Sequence, residues 1–249
     1  MGFFDKLFEK KYCSICGKQL GLIQRKLVDG YICGECKNKL SRWFSDRKES
    51  TIEQIKEQLA YREENRNRLE SFQVTHTYGN PVVVRLDDEN GQFIVSNYRN
   101  FKEDNPDIIK YADITGVDYE IVQQSYMEKK DENGKILNPR RFDADYDFKF
   151  TVHVNNPYLE EMRFDLNDSM VRIVNSLDPK GEAKYIQYQQ MSEELKRALQ
   201  DRKQEALNTQ KQEKQAQNQP KKKTVCPRCG ANTMPDANGC CEYCGSPIE

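Results

Sequence analysis

Histidine is almost missing from this chain: His76 and His153 are the only two in 249 residues. Each lies in a stretch of alternating apolar and polar residues, without Cys, Asp or Glu at ligand spacing. Both are therefore expected as strand histidines, not as catalytic or metal-ligating groups. No Ser-His-Asp pattern, phosphate-cradling glycine loop or H-E-x-x-H is present, and nothing selects a pair among the many carboxylates as acid and base. The expectation is a non-enzyme. Long apolar runs are missing too, with no segment approaching the roughly 18–20 residues of a transmembrane helix. The opening Gly2-Phe-Phe-Asp-Lys-Leu-Phe8 is too short and too charged for a secretory signal, and Gly2 lacks the Ser or Thr that myristoylation expects four residues later. Net charge is close to zero, 39 Lys and Arg against 40 Asp and Glu, so the chain as a whole is committed neither to nucleic acid nor to anionic lipid. With 32% charged and 37% hydrophobic residues, one large core is excluded; small modules joined by exposed helices are expected.

What is present is cysteine in a particular pattern. Eight of the nine cysteines form four C-x-x-C pairs. A disulfide framework does not require that pairing; thiolates on zinc in a reducing compartment are the better explanation, and a cytoplasmic location is expected. Cys13, Cys16, Cys33 and Cys36 make one candidate set, and Cys226, Cys229, Cys241 and Cys244 the other. Zn²⁺ takes four thiolates tetrahedrally, and a set with no open position is structural. The rivals are a redox switch that ejects zinc on oxidation, and an iron–sulfur cluster, which a colourless protein would exclude. Cys240 is the odd cysteine. It can replace Cys241 in count, but Cys241-x-x-Cys244-Gly245 makes a proper knuckle and Cys240-x-x-x-Cys244 does not.

The fold class expected is α+β, in six parts. Residues 1–48 form a four-cysteine finger: a knuckle at Cys13–Gly17, a hairpin from Leu20 to Ile32 with an Asp29-Gly30 turn, then Cys33 and Cys36 opening a helix through Lys37, Leu40, Trp43 and Phe44. The positive end of that helix helps to hold thiolate charge, and this order of elements looks like a treble clef. Ahead of the knuckle, Phe3, Phe4, Leu7 and Phe8 share one helical face, as a lid on the finger or as a membrane or partner anchor. Residues 49–71 form a connecting helix capped by Ser50 or Thr51, with Ile52, Ile55, Leu59, Arg62, Arg66 and Leu69 on one stripe. Residues 72–178 alternate strongly and carry turn signals, which predicts an antiparallel β-domain of six or seven strands. It is an acidic domain, with 128–146 as a long exposed loop and a helix after Leu166 containing Met170, Val171 and Val174. Residues 179–207 form a helix, 208–224 a flexible tether, and 225–249 a zinc ribbon.

The opening Met1-Gly-Phe-Phe-Asp-Lys-Leu-Phe8, with Cys13-x-x-Cys16-Gly17 and Asp29-Gly30-Tyr31-Ile32-Cys33-x-x-Cys36, resembles the DUF4428 zinc-finger family of bacterial and phage proteins over about residues 1–60. The last segment is similar to the zinc-ribbon tails of many bacterial proteins. The β-domain, with Ile108-Ile-Lys-Tyr-Ala-Asp-Ile114 leading into a strand, resembles bacterial PH-like domains that follow such fingers. The resemblance implies zinc binding and a scaffold or adaptor role.

Three functions follow as expectations. The first is a protein adaptor whose tether raises the effective concentration of the terminal ribbon at a second site. The second is a nucleic-acid-associated protein using the ribbon and Lys221–Lys223. The third is a peripheral membrane protein using the PH-like domain and the Phe3–Phe8 turn, which the acidic β-domain opposes on anionic lipid.

Overall fold

The computed structural model of the chain describes residues 10–21, 23–79, 83–97, 99–217, 224–236 and 239–248. The Phe3/Phe4/Leu7/Phe8 turn and Lys221–Lys223 lie outside them. The chain divides into two compact units, Met1–Ala206 and Leu207–Glu249, and among the described residues no helix is long and apolar enough to cross a membrane.

In the first unit, the finger is built on strands β1 (Arg25–Lys26) and β2 (Tyr31–Ile32) and a short helix α1 (Gly34–Asn38). α1 stops well before Trp43 and Phe44, where a longer helix is expected, because Lys39 and Leu40 tighten into turns and a 3-10 turn follows at Asp46–Glu49. Its core holds Leu27, Ile32, Leu40 and Ile55 around Cys13, Cys33 and Cys36. Helix α2 (Ile52–Leu69) starts at a complete capping box, Thr51 with Gln54, and Asp29 Oδ1 accepts from the Ile52 amide at 2.8 Å. Thr51, not Ser50, is the cap.

α2 belongs to two cores. Its first half gives Ile52, Ile55 and Leu59 to the finger, and its last residue, Leu69, packs with Phe72, Ile94 and Ile108 of the β-domain. Between them the buried stripe is polar: Gln58, Arg62 and Asn65 are inside, while Arg66 is exposed. Arg62 Nη1 donates to Asp107 Oδ1 at 2.7 Å with both side chains buried, and Ser41 Oγ of the finger donates to Asp107 Oδ2 at 2.7 Å. Asn65 holds the same segment through the Asn105 side chain, the Pro106 carbonyl and the Ile108 amide. Burial pushes the Asp107 carboxyl up, against the pull of Arg62 and Ser41, so the carboxylate depends on both partners.

The β-domain has two antiparallel sheets. One is ordered β3 (His76–Tyr78), β4 (Val83–Asp87), β5 (Gln92–Ser96), β6 (Ile109–Lys110), with a one-turn helix α3 (Phe101–Asp104) in the β5–β6 connection. The other is centred on β8 (Phe142–Asn156), which pairs with β7 (Ile114–Glu128) on one side and with β9 (Leu159–Asp165) and β10 (Val171–Ser176) on the other. β8 alternates strictly. Ala144, Tyr146, Phe148, Phe150, Val152 and Val154 face the core, and Asp145, Asp147, Lys149, Thr151 and His153 face outward.

Two expectations fail here. The exposed loop is shorter than 128–146, because β8 starts at Phe142 and buries Ala144 and Tyr146. The segment after Leu166 is a strand, not a helix. Buried Val171 and Ile173 lie across β8 from Tyr146 and Ala144, and Asn167 caps no helix but accepts from the Phe148 amide at 2.7 Å.

Helix α4 (Ala183–Gln217) closes the core with Tyr185, Leu195 and Leu199. Its helical conformation continues to Gln217, past the start of the expected tether at Asn208. Residues 208–215 are exposed, so propensity and side-chain pairs carry that part. Arg202 fixes α4 to the β-domain: its Nε and Nη2 donate to Asp88 at 2.6 and 2.8 Å, and Tyr111 donates to the same carboxylate. In the second unit, β11 (Thr224–Val225) and β12 (Asn232–Thr233) pair as a short hairpin.

Two stability predictions follow. Arg62→Ala or Asp107→Ala alone should cost about 3–5 kcal/mol by leaving one buried charge unpaired, and the double replacement Arg62→Met/Asp107→Leu should cost less than either. Urea unfolding checks this, and single variants within about 1 kcal/mol of wild type would refute it. The second concerns pH. The Arg202 guanidinium, with help from Tyr111 and Thr75, holds the Asp88 carboxyl well below the usual carboxylate range. A depressed folded value gives stability that is fully present above the unfolded value of about 3.9, declines below it, and is lost as pH falls through the lower folded value. Asp88→Asn should therefore cost about 1–2 kcal/mol at neutral pH and clearly less near pH ~3.

Candidate metal centres

Three of the four C-x-x-C pairs share one backbone design. In the Cys13, Cys226 and Cys241 knuckles the first cysteine's amide donates to the carbonyl five residues on, at 2.8 Å each time. The amide of the following glycine returns to the first cysteine's carbonyl at 2.8, 2.9 and 2.8 Å. Those glycines, Gly17, Gly230 and Gly245, sit at φ +73°, +69° and +67°, a left-handed conformation that a Cβ disfavours. The turn aims successive amides at the sulfurs. The fourth pair differs. Cys33 is the N-cap of α1, with Cys36 one turn inside, and the Cys36 amide approaches Cys33 Sγ at 3.4 Å. The Cys33 amide in turn approaches Cys13 Sγ at 3.3 Å, which stitches the knuckle to the helix.

These turns bring together Cys13, Cys16, Cys33 and Cys36 in one set, and Cys226, Cys229, Cys241 and Cys244 in the other. Within each, all sulfurs lie within 4.8 Å of one another. The Cys16–Cys33, Cys226–Cys244 and Cys229–Cys241 separations are 3.7, 3.6 and 3.7 Å. A tetrahedral ion with bonds of about 2.3 Å has an edge near 3.8 Å, and a disulfide needs about 2.05 Å. The residues fit a four-thiolate ion such as Zn²⁺. Cys240 stands outside the set; its amide donates to Asp236 Oδ1 at 2.9 Å and its carbonyl accepts from the Asp236 amide.

Electrostatics in each set is divided. Burial pushes the Cys13 thiol up, but the amides of Cys16, Cys33 and Ile15 outweigh it and bring it down to about 6. Burial and the sulfur neighbours hold Cys36 far above the ordinary thiol range. In the second set the Ser246 hydroxyl and amide bring Cys244 down to about 6, and the Cys229 and Arg228 amides lower Cys226. The Ala231 amide favours the Cys229 thiolate, yet contact with Cys244 and the other sulfurs pushes it up to about 12. Four sulfurs in contact cannot all be ionised by themselves. A bound dication removes that restriction.

The remaining candidates lie elsewhere. His76 is on exposed β3, 3.1 Å from Asp88, and His153 is on the outer face of β8, 3.9 Å from Asp118 and 3.8 Å from Glu161. Trp43 is packed against the β-domain, tilted over Phe164 at 6.5 Å, and Phe44 joins the finger core. Arg228 Nη1 donates to Ser246 Oγ at 3.1 Å, tying the two terminal knuckles together. This tie has no sequence signal, since both partners are common surface residues.

Residues 11–58 match the model of a family described as a domain of unknown function, DUF4428. The match ends inside α2, just beyond Ile55, so it spans the finger with the part of α2 nearest the finger's core. No curated protein and no solved structure matches the chain.

Metal content tests the site. Purified protein should carry two zinc ions per chain, released by chelator, and Cys16→Ser should lower that to one and unfold the finger, because metal binding supplies about 10–16 kcal/mol to such modules. Fewer than one ion, with freely titratable thiols, would rule the reading out.

Proposed function

We propose that this protein is a non-enzymatic, cytoplasmic adaptor: a treble-clef-like finger and a C-terminal zinc ribbon, both with structural zinc, flank a PH-like domain. The observation that carries this is the closure of both cysteine sets. All eight paired sulfurs point into two four-sulfur groups, which leaves an ion no open coordination position for substrate or water. Knuckle, hairpin and ligand-bearing helix, in that order, support the treble-clef-like reading. Two facing knuckles tied by Arg228 and Ser246 support the ribbon. Two antiparallel sheets followed by one helix over the core support the PH-like reading.

Support for a binding role is that each zinc module displays apolar side chains at its surface. Ile23 is 74% exposed on the finger, and Tyr243 is 74% and Val225 62% exposed on the ribbon. With the cysteines committed to metal, these residues are available to a protein partner.

Affinity purification of the full chain from its host, with nuclease treatment, tests the proposal. A discrete protein should be retained after nuclease and lost when Tyr243 is changed to Ala or when the chain is cut at Gln219. Recovery of no stoichiometric protein would overturn the adaptor reading.

A further inference from the structure

The near-zero net charge hides a division along the chain. Residues 10–48 contain ten Lys and Arg against three Asp and Glu, whereas residues 72–176 contain twelve against nineteen. A zinc ion on four thiolates leaves two negative charges at the finger's centre, and its basic excess still stands.

The three acids of the finger are already engaged. Asp29 caps α2 at the Ile52 amide, Glu35 pairs with Lys18, and Asp46 accepts from Ser45. By contrast, among the described residues Arg25, Lys26, Lys37, Arg42, Arg47 and Lys48 make no ion pair. These six line two neighbouring concavities that meet at Arg47. One, of about 370 Å³, is walled by Lys37, Arg42 and Arg47, and Phe44 lines it as well. The other, of about 380 Å³, is walled by Arg25, Lys26, Arg47 and Lys48. Arg47 is fixed between them because its Nη1 donates to the Lys26 carbonyl at 2.9 Å. Arg42 is stacked over Trp43 at 4.9 Å.

We infer that this face of the finger is a binding surface for the phosphate backbone of single-stranded nucleic acid. Unpaired cations gathered on one face gain most from a polyanion, because each phosphate contact releases a condensed counterion. The shape selects the polyanion. A narrow flexible strand can enter two adjoining hollows, whereas a bilayer is flat, touches ridges, and would also meet the acidic β-domain of the same compact unit. Phe44, partly buried, lines the first hollow beside the cations. The site is distinct from Lys221–Lys223.

The test is fluorescence anisotropy of the full zinc-loaded chain with a labelled mixed-sequence single strand of about 20 nucleotides, as DNA and as RNA. Six phosphate contacts imply a log–log salt slope near about −4, a loss of roughly a hundredfold or more between about 50 and 200 mM salt. Lys26→Gln/Lys37→Gln/Arg42→Gln/Lys48→Gln should weaken binding at least tenfold and reduce the slope by about 3, with zinc content and thermal melting unchanged. Changing Lys221, Lys222 and Lys223 to Gln should leave binding intact. If the quadruple variant loses zinc, the pairs Lys26→Gln/Lys48→Gln and Lys37→Gln/Arg42→Gln, one per hollow, should each weaken binding. Absence of strand binding at low salt, binding indifferent to the finger variants, binding lost only with the 221–223 variant, or capture of phosphatidylglycerol vesicles in place of the strand would each overturn the inference.

Discussion

The buried pair of Arg62 and Asp107 is the constraint on which the first unit depends. With Ser41 it joins three places: Ser41 in the finger, Arg62 in the middle of α2, and Asp107 in the segment entering β6. An apolar contact would glue these pieces together without fixing how they meet. A carboxylate with one oxygen on a guanidinium and the other on a hydroxyl requires all three to arrive in one geometry. Trp43, packed on the β-domain from the finger side, and the Asn65 contacts extend the same junction. The finger is thus one end of a unit whose other end is the β-domain, with α2 shared between them.

The four-cysteine modules answer a different physical problem. Among its described residues, the terminal four-cysteine module has a buried apolar cluster of only Cys226, Cys241 and Ile248, far too little apolar surface to offset the entropy of ordering its chain. Its organisation comes from the sulfurs and the amides aimed at them. The first finger has a real core, but three of its buried members are themselves ligands. With zinc in both modules, as proposed, metal affinity and folding become one equilibrium, so loss of metal and loss of structure should coincide.

Charge is distributed to match this division of labour. Arg202 and Asp88, Arg172 and Asp145, and Lys149 and Asp165 pair within the β-domain and α4, so many of the acidic domain's charges are used in holding it together. Among the described residues, Arg25, Lys26, Lys37, Arg42, Arg47 and Lys48 of the finger make no ion pair. They surround two hollows, which is why the finger is where an anionic partner is sought.

Local chemistry explains what the sequence by itself determined. The four C-x-x-C pairs, the glycine after three of them, the Asp29-Gly30 turn and the Thr51 cap are short-range devices, and their outcome is set within a few residues. The alternation of Phe148, Phe150 and Val152 likewise announces a strand with one buried face. Tertiary structure decided the rest. Val171 with Met170 and Val174 suits a helix face, and Val171 with Ile173 suits a strand; the choice is open until β8 offers an edge to pair with. In the sequence Ala144 and Tyr146 read as part of a charged loop because every second neighbour is an aspartate, and only the opposing β7 and β10 reveal them as core. Buried Arg62 and Asn65 have no meaning until Asp107 and Asn105, forty or more residues away, come to meet them. A buried charge is recognisable only through its partner, and long-range partners are chosen by the fold.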